Sequence, residues 1–252
     1  MGRCFDIRKK KILKCLQDEN ELKVSDLVEL TGASIATVRR DLQELEKDNL
    51  IVRTFGGLRA ADQKSLVART FEQRSAQQSL EKQRIAAAGA KLVAPGMTIA
   101  IDSGTTCMNF AAALKNKAPL RIITSALAVI EMLGGVPGIE INLVGGKFRL
   151  ENLDFYGAIS INTFKHFHVD IAFMGCDALL PANGAFSHDQ ESAAISQAMG
   201  SCATERVLLC NSGKIGTPGA FLAFAPEEID KIVTGKRSEE LTAAGYKVIV
   251  AE

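Results

Sequence analysis

A charge excess of either sign is what this sequence most plainly lacks. Among 252 residues, 30 Lys and Arg stand against 29 Asp and Glu, for a formal net charge of +1. That balance excludes a wholly basic coat for nucleic acid, though not a small basic module. No apolar run approaches the roughly 20 residues of a membrane helix; the longest mostly apolar stretches, Leu92–Ile101 and Val169–Gly175, fall well short. No apolar core follows the basic start Arg8-Lys9-Lys10-Lys11, so no secretory leader is expected. Cysteine is sparse and scattered, at positions 4, 15, 107, 176, 202 and 210. No pair forms C-x-x-C, and none has zinc-like spacing from His166, His168 or His188, so neither a metal nor a cofactor is expected. Such thiols read as reduced, mostly buried residues of a cytoplasmic protein. Only Cys107 stands apart, because it follows a polar loop. Internal repeats and low-complexity tracts are missing, as is the low hydrophobicity with high net charge that marks disorder.

What is present changes character near residue 60. Before it, apolar residues recur at helical spacing in short segments; after it, β-rich runs alternate with helical stretches. The segment between, 60–79, is polar, holds Gln63, Gln73, Gln77 and Gln78, and reads as a linker. The expected division is 1–59, a linker over 60–79, and a second domain over 80–252.

In the first part, Asp6–Gln17 carries Ile12, Leu13 and Leu16 on one helical face, and Asn20 and Glu21 end it. Ser25 reads as the N-cap of a short helix over Asp26–Thr31 with Leu27, Val28 and Leu30 inward. Gly32-Ala33 forms a turn, and Ser34 caps a third helix, about Ile35–Lys47, with Ile35, Val38, Leu42 and Leu45 on one side. Leu50–Arg53, a turn at Gly56-Gly57, and Leu58-Arg59 read as a hairpin. Three short helices with a glycine turn, then a hairpin, form the winged helix-turn-helix pattern. There the third helix enters the major groove with its N-terminal residues leading. Its outward side holds Ser34, Ala36, Thr37, Arg39 and Arg40. Arginine can grip a guanine edge through two hydrogen bonds; Ser, Thr and helix starts, Ser25 included, can hold phosphates. Arg53 and Arg59 on the hairpin are placed to touch the DNA backbone.

The strings Arg8-Lys9-Lys10-Lys11-Ile12-Leu13, Val24-Ser25-Asp26-Leu27, Thr37-Val38-Arg39-Arg40-Asp41-Leu42 and Leu50–Gly57 closely resemble the N-terminal domain of the DeoR family of bacterial transcriptional regulators. The resemblance implies double-stranded operator DNA as a partner.

From about residue 80, helices and strands alternate. Strands are expected near 97–101, 120–124, 140–144, 170–175, 206–210, 231–234 and 247–250, with helices at 81–93, 107–115, 126–133, 158–166, 189–199 and 239–244. Repeated β-α units imply a mainly parallel sheet covered on both faces, an α/β fold. Ligands on such sheets gather at the carboxyl ends of the strands. That rule selects Asp102-Ser103-Gly104-Thr105-Thr106, where backbone N–H groups at a helix start and nearby hydroxyls favour an anion such as phosphate. The loop lacks a P-loop lysine and its glycine spacing, so nucleotide hydrolysis is not expected. Other strand ends offer Thr124-Ser125, Gly145-Gly146 with Arg149, Asp177, Glu191 and Lys214. Together these could line one sugar-phosphate pocket, Arg149 and Lys214 neutralising phosphate while Asp102, Asp177 and Glu191 accept from hydroxyls.

This second part resembles the sensor domain of the same family through Glu81-Lys82 with Ile85-Ala86, Asp102–Thr106, Leu143–Gly146, Gly157, Asp170–Gly175, Gly184, Glu191 and Ser212–Gly216. The resemblance implies a fold related to ribose-5-phosphate isomerase and a phosphorylated sugar or related metabolite as effector. It also implies that Ser103, Gly104, Thr105 and Thr106 cradle the phosphate with Lys214 nearby. Two departures from the family stand out: Asn211 where Asp is usual, and Ser196-Gln197 where a Lys-Arg pair is usual. The expected function is regulation of transcription, as a repressor of a sugar or polyol operon acting as a homo-oligomer, since paired half-sites require at least a dimer. The alternative is an isomerase-like enzyme acting on sugar phosphates, for which Asp102, Asp177, Glu191 and Lys214 supply carboxylates and a lysine.

Overall fold

The structure, a computed structural model, describes residues 8–9, 11–12, 15–16, 22–47, 51–53, 57–60, 71, 74–75 and 79–251. The expected helix over Asp6–Gln17 is helical where described; Leu13, Asn20, Glu21, Gly56 and most of the 60–79 segment lie outside the described residues. The chain divides into two compact units, Met1–Thr70 and Phe71–Glu252.

The first unit packs Ile12, Leu16, Leu22, Leu27, Val38, Leu42, Leu45, Ile51 and Leu58 into one core. Helix α1 (Val24–Thr31) ends at Gly32, whose positive φ of 65° suits glycine and whose N–H donates to Val28 O at 2.9 Å. Its start differs from the expected one. Lys23 holds the cap position and donates its N–H to the Asp26 carboxylate at 3.0 Å, so Ser25 falls in the first turn, exposed. Helix α2 (Ile35–Lys47) begins as expected, the Ser34 hydroxyl accepting from Thr37 N at 3.3 Å. Strands β1 (Ile51–Arg53) and β2 (Leu58–Ala60) pair antiparallel, and Leu22 bridges to Leu58 through two 2.8 Å hydrogen bonds. Leu30 and Ile35, expected inward, are 38% and 53% exposed. Helical side chains lean toward the N-terminus, so that of Ile35, the first residue of α2, projects past the end of the helix.

In the second unit, α3 (Ser79–Ala90) precedes seven strands that build one parallel sheet: β3 (Thr98–Ile101), β4 (Leu120–Thr124), β5 (Ile139–Leu143), β8 (Val169–Met174), β11 (Ala203–Cys210), β13 (Lys231–Thr234) and β14 (Val248–Val250). Their order is β14-β13-β11-β8-β3-β4-β5, and every pairing is parallel. Alternate residues of each strand face opposite layers. Ile99, Ile101, Ile122, Phe173, Val207, Leu209 and Val233 pack with Ile85 of α3, Phe110 of α4 (Thr105–Ala113) and Val129 of α5 (Leu127–Leu133). Ala100, Ile123, Ala172, Met174, Leu208 and Ile232 pack on the other face with Phe164 of α6 (Ala158–Phe164), Met199 of α7 (Gln190–Ser201) and Leu241 of α8 (Glu239–Ala243). This two-sided burial is why the strands read as nearly continuous apolar runs.

Five further strands were not expected. They are β6 (Lys147–Arg149) paired with β7 (Asp154–Tyr156), and a three-stranded antiparallel sheet of β9 (Ala178–Leu180), β10 (Gly184–Ser187) and β12 (Phe221–Phe224).

Candidate functional site

The chain runs from β3 outward through β4 to β5, then returns to β8 on the other side of β3 and proceeds to β14. Strand order therefore reverses between β3 and β8, and their carboxyl ends leave a crevice there. A cleft of about 590 Å³ opens at that place. After β3 it is lined by Asp102 through Cys107, after β8 by Gly175-Cys176-Asp177, and after β11 by Asn211, Gly213 and Lys214. Ser192 and Ser196 of α7 close one side, with Ser187 and His188 before it. Arg74, Lys82 and Asn152 complete the lining.

Helix α4 opens directly onto this cleft. Gly104 precedes it at φ 95°, a backbone conformation that side chains rarely adopt. Among the described residues no side chain caps the helix start, and a backbone hydrogen bond runs from Met108 N to Gly104 O at 2.9 Å. The N–H groups of the first turn are therefore free for an anion. The contrast is α7, whose start is closed by the Asp189 carboxylate accepting from Ser192 N at 2.7 Å.

Three cations, Arg74, Lys82 and Lys214, and two acids, Asp102 and Asp177, line the cleft. Lys82 is buried on α3 and its ammonium donates to the carbonyl of Arg74. Desolvation first, then the neighbouring charges of Lys214 and Arg74, lower its pKa to about 8. The Lys214 ammonium donates to the carbonyl of Cys176. Asp102 accepts from Ser103 N at 2.8 Å, Ser196 Oγ at 2.9 Å and Gly175 N at 3.3 Å, yet its burial pushes its pKa up to about 6. Asp177 goes the other way: desolvation works to raise it, but the His188 hydrogen bond and the charge of Lys214 hold it below its ordinary value. The His188 ring lies 2.8 Å from Asp177 and 3.0 Å from Asp189. Below the Lys214 loop, the Glu81 carboxylate accepts from Asn211 Nδ2 at 2.9 Å and Ser212 N at 2.8 Å. A side chain at Gly235 would collide with Glu81, so that strand end must stay bare. Cys107 lies on the wall, but burial pushes its thiol well above the ordinary value, leaving it an inert apolar residue.

Of the expected effector residues, Asp102, Ser103, Gly104, Thr105, Thr106, Asp177 and Lys214 meet in this cleft. The others do not line it. Thr124 is fully buried, donating to Ile101 O at 2.6 Å and accepting from Ala126 N at 3.0 Å. Ser125 is likewise fully buried, its carbonyl taken by Phe155 N at 2.9 Å. Gly145 O accepts from Ser160 Oγ at 2.9 Å, and a side chain at Gly146 would collide with Ser160 and Tyr156. Arg149 is occupied by carboxylates, at 2.8 Å from Asp154 and 3.2 Å from Asp189. Glu191 is exposed on the first turn of α7.

Sequence reasoning missed Arg74, Lys82, Ser192, Ser196, His188 and Asn211 as lining residues. Two of these had a signal: Ser196 and Asn211 are the positions that depart from the family pattern. Lys82 stood inside the quoted Glu81-Lys82 string.

In the first unit, Ser34, Ala36, Arg39 and Arg40 are exposed, and Thr37 is half-buried with its hydroxyl 2.9 Å from that of Ser34. Asp41, next to the arginine pair, is buried and held by Arg8 through contacts of 2.5 and 3.0 Å, which ties the first helix to α2. Arg53 and Arg59 fall on β1 and β2; their side chains lie outside the described residues.

Among the described residues, no group of three or more His, Cys, Asp or Glu is placed to hold a metal, and no helix is long and apolar enough to cross a membrane.

Comparison with known proteins gives the same two parts. Residues 8–64 match the DeoR-like helix-turn-helix domain and residues 77–236 the DeoR C terminal sensor domain. The chain is 31% identical to the HTH-type transcriptional repressor CsqR of Escherichia coli K12, across 95% of this chain and 90% of that one. It is 29% identical to the HTH-type transcriptional repressor GlcR of Bacillus subtilis, across 96% and 94% of the two chains. With the glycerol-3-phosphate regulon repressor of E. coli K12 it shares 34% identity over 67% of this chain and 66% of that one. Among solved structures, ribose 5-phosphate isomerase A of Methanocaldococcus jannaschii overlaps 53% of each chain at 19% identity with a TM-score of 0.40.

Proposed function

Because the chain belongs to the DeoR family of transcriptional regulators, we propose that it represses a sugar or polyol operon and that a phosphorylated sugar or related metabolite, bound in the cleft, weakens its hold on operator DNA. The observation that carries the effector half is the convergence of the uncapped start of α4 with Lys82 and Lys214 on one cleft. That set answers the two needs of a phosphate, hydrogen-bond donors and positive charge. Ser103, Gly104, Thr105 and Thr106 take the phosphate oxygens, with Lys82 and Lys214 neutralising them. Asp102, Asp177, Ser196 and Asn211 meet the hydroxyl end. The name of one relative, the glycerol-3-phosphate regulon repressor, contains a phosphorylated metabolite and supports this class.

The DNA half is assigned to residues 1–59, joined by 60–79 to the sensor over 80–252. Arg39 and Arg40 read bases from α2; Ala36 lies against them; Ser25, Ser34, Thr37, Arg53 and Arg59 meet the backbone. The protein acts in the cytoplasm as a homo-oligomer, since reading paired half-sites takes two copies of α2.

The test is binding of the full chain to the DNA upstream of its own gene, with and without a panel of sugar phosphates. At least one should weaken the complex about tenfold or more, a typical allosteric coupling. Thr105→Val with Lys214→Met should bind DNA normally and ignore that compound. Tight DNA binding indifferent to the whole panel would sink the sensing role, and turnover of a sugar phosphate would favour an enzyme.

A further inference from the structure

Arg74 enters the cleft from the stretch that precedes α3, the same stretch that leads back to the DNA-reading unit. Its backbone carbonyl accepts from the Lys82 ammonium and from Thr105 Oγ1, the latter at 3.4 Å. Its guanidinium donates through Nη2 to Glu151 O at 2.5 Å and Asn152 Oδ1 at 3.0 Å. It also lies 5.8 Å from the ring of Phe71, a buried residue three positions earlier. The Nε of the same group is buried and has no partner among the described residues. An orphaned, buried N–H on a cation is costly, and an acceptor reaching it through the cleft would relieve that cost. Thr105 and Lys82 thus hold the Arg74 backbone and also belong to the wall that faces the ligand.

Three cations share the cleft with two acids, and of these Asp177 attracts both Arg74 and Lys214. Arg74, Lys82 and Lys214 are like charges, and two of them, Lys214 and Arg74, act against protonation of the third. A dianion between them turns that repulsion into three attractions.

We propose that Arg74 is the positioning residue that couples cleft to linker: a bound phosphate is gripped by its guanidinium and fastens the Arg74 stretch onto the sensor unit. This rests on the reading of the cleft as an anion site. The covalent chain then carries the change, because the fastened residues are the ones that join the sensor to the DNA-reading unit. The role differs from that of the α4 loop, whose link to this stretch is the hydrogen bond from Thr105 Oγ1 to the Arg74 carbonyl, not a charge on the phosphate.

The experiment uses the full chain with inorganic phosphate as the probe, at constant ionic strength. Titration calorimetry reports whether phosphate binds, and amide hydrogen exchange at Arg74 and Ser75 reports whether the stretch is fastened. The expected result is binding together with about tenfold slower exchange at both amides. In Arg74→Gln, phosphate still binds, more weakly, but exchange at the two positions no longer responds. Circular dichroism and a cooperative thermal unfolding transition of that variant, compared with the wild type, establish that its sensor unit is folded. Phosphate binding to the wild type with unchanged exchange overturns the coupling and leaves the anion cleft standing. An unaltered exchange response in Arg74→Gln also overturns it, because another group then carries the change. No phosphate binding by the wild type removes the anion reading and the coupling with it.

Discussion

The Ser196 hydroxyl donates a hydrogen bond to the Asp102 carboxylate across 2.9 Å, tying α7 to the end of β3 at the wall of the cleft. Two backbone N–H groups join it on the same carboxylate, yet burial outweighs all three and Asp102 stays near pKa 6. A carboxyl raised in the folded state stabilises the fold in its neutral form. That contribution is complete below its ordinary value of 3.8 and is lost as pH rises through about 6. Relative to Asp102→Asn, the wild type should therefore lose about 1 kcal/mol of stability between about pH 5 and pH 7.5. Urea unfolding of both proteins at the two pH values measures it, and parallel profiles would refute the assignment.

Lys82 sets a pH dependence of a different kind, on binding. Its pKa of about 8, lowered by desolvation and by Lys214 and Arg74, should rise when a phosphate arrives. Binding then takes up a proton, so affinity is full below about pH 8 and falls above it by up to about tenfold per pH unit. A sugar phosphate, with a second pKa of about 6, is already a dianion over that range, so its own titration does not contribute. Titration calorimetry from pH 7.5 to pH 9.5, roughly the window in which a single lysine of this kind titrates, should show the slope in wild type. Lys82→Met should bind more weakly and show no slope; an equal slope in both would move the effect elsewhere.

The sheet was legible because its strands are buried on both faces: in Val169–Met174, Ile171 and Phe173 serve one layer while Ala172 and Met174 serve the other, leaving an apolar run that sequence displays. Strands β6 and β7 were not, since Lys147-Phe148-Arg149 and Asp154-Phe155-Tyr156 are three residues each and their pairing depends on each other rather than on local pattern. The cleft divided in the same way. Asp102–Thr106 and Lys214 follow strands, where the strand-end rule looks. Arg74 and Lys82 precede the first strand of the sheet, where that rule is blind. Arg149 failed for a third reason: residue type shows a charge, but not whether buried acids have already claimed it.

That claim on Arg149 makes it a structural residue. Its guanidinium holds Asp154, which is fully buried, and reaches Asp189, the cap of α7. Arg149→Met leaves the buried Asp154 carboxylate without its partner, a loss of about 3 kcal/mol or more. Arg149→Met with Asp154→Leu removes both charges and should recover much of it. Denaturant unfolding of the single and double variants reads the difference. A single variant as stable as the wild type, with effector binding abolished, would return Arg149 to the ligand.

Arg39 and Arg40 sit exposed on the leading half of α2, while their neighbour Asp41 is buried against Arg8. The same short string thus carries both an exposed basic face and a buried anchor. Arg40→Ala should weaken operator binding by about 1–3 kcal/mol and relax preference at one base-pair position, as expected when a bidentate grip on a base edge is lost. Asp41→Ala acts through stability, because it strips the partner from Arg8 and loosens α2 from the first helix; its DNA affinity should fall equally on every sequence. Binding of each variant to the operator and to single-base variants of it separates the two. If Arg40→Ala weakened binding uniformly across those sequences and flattened its salt dependence by about one phosphate contact, Arg40 would be a backbone clamp, and base reading would fall to Arg39 and the residues ahead of it on the helix.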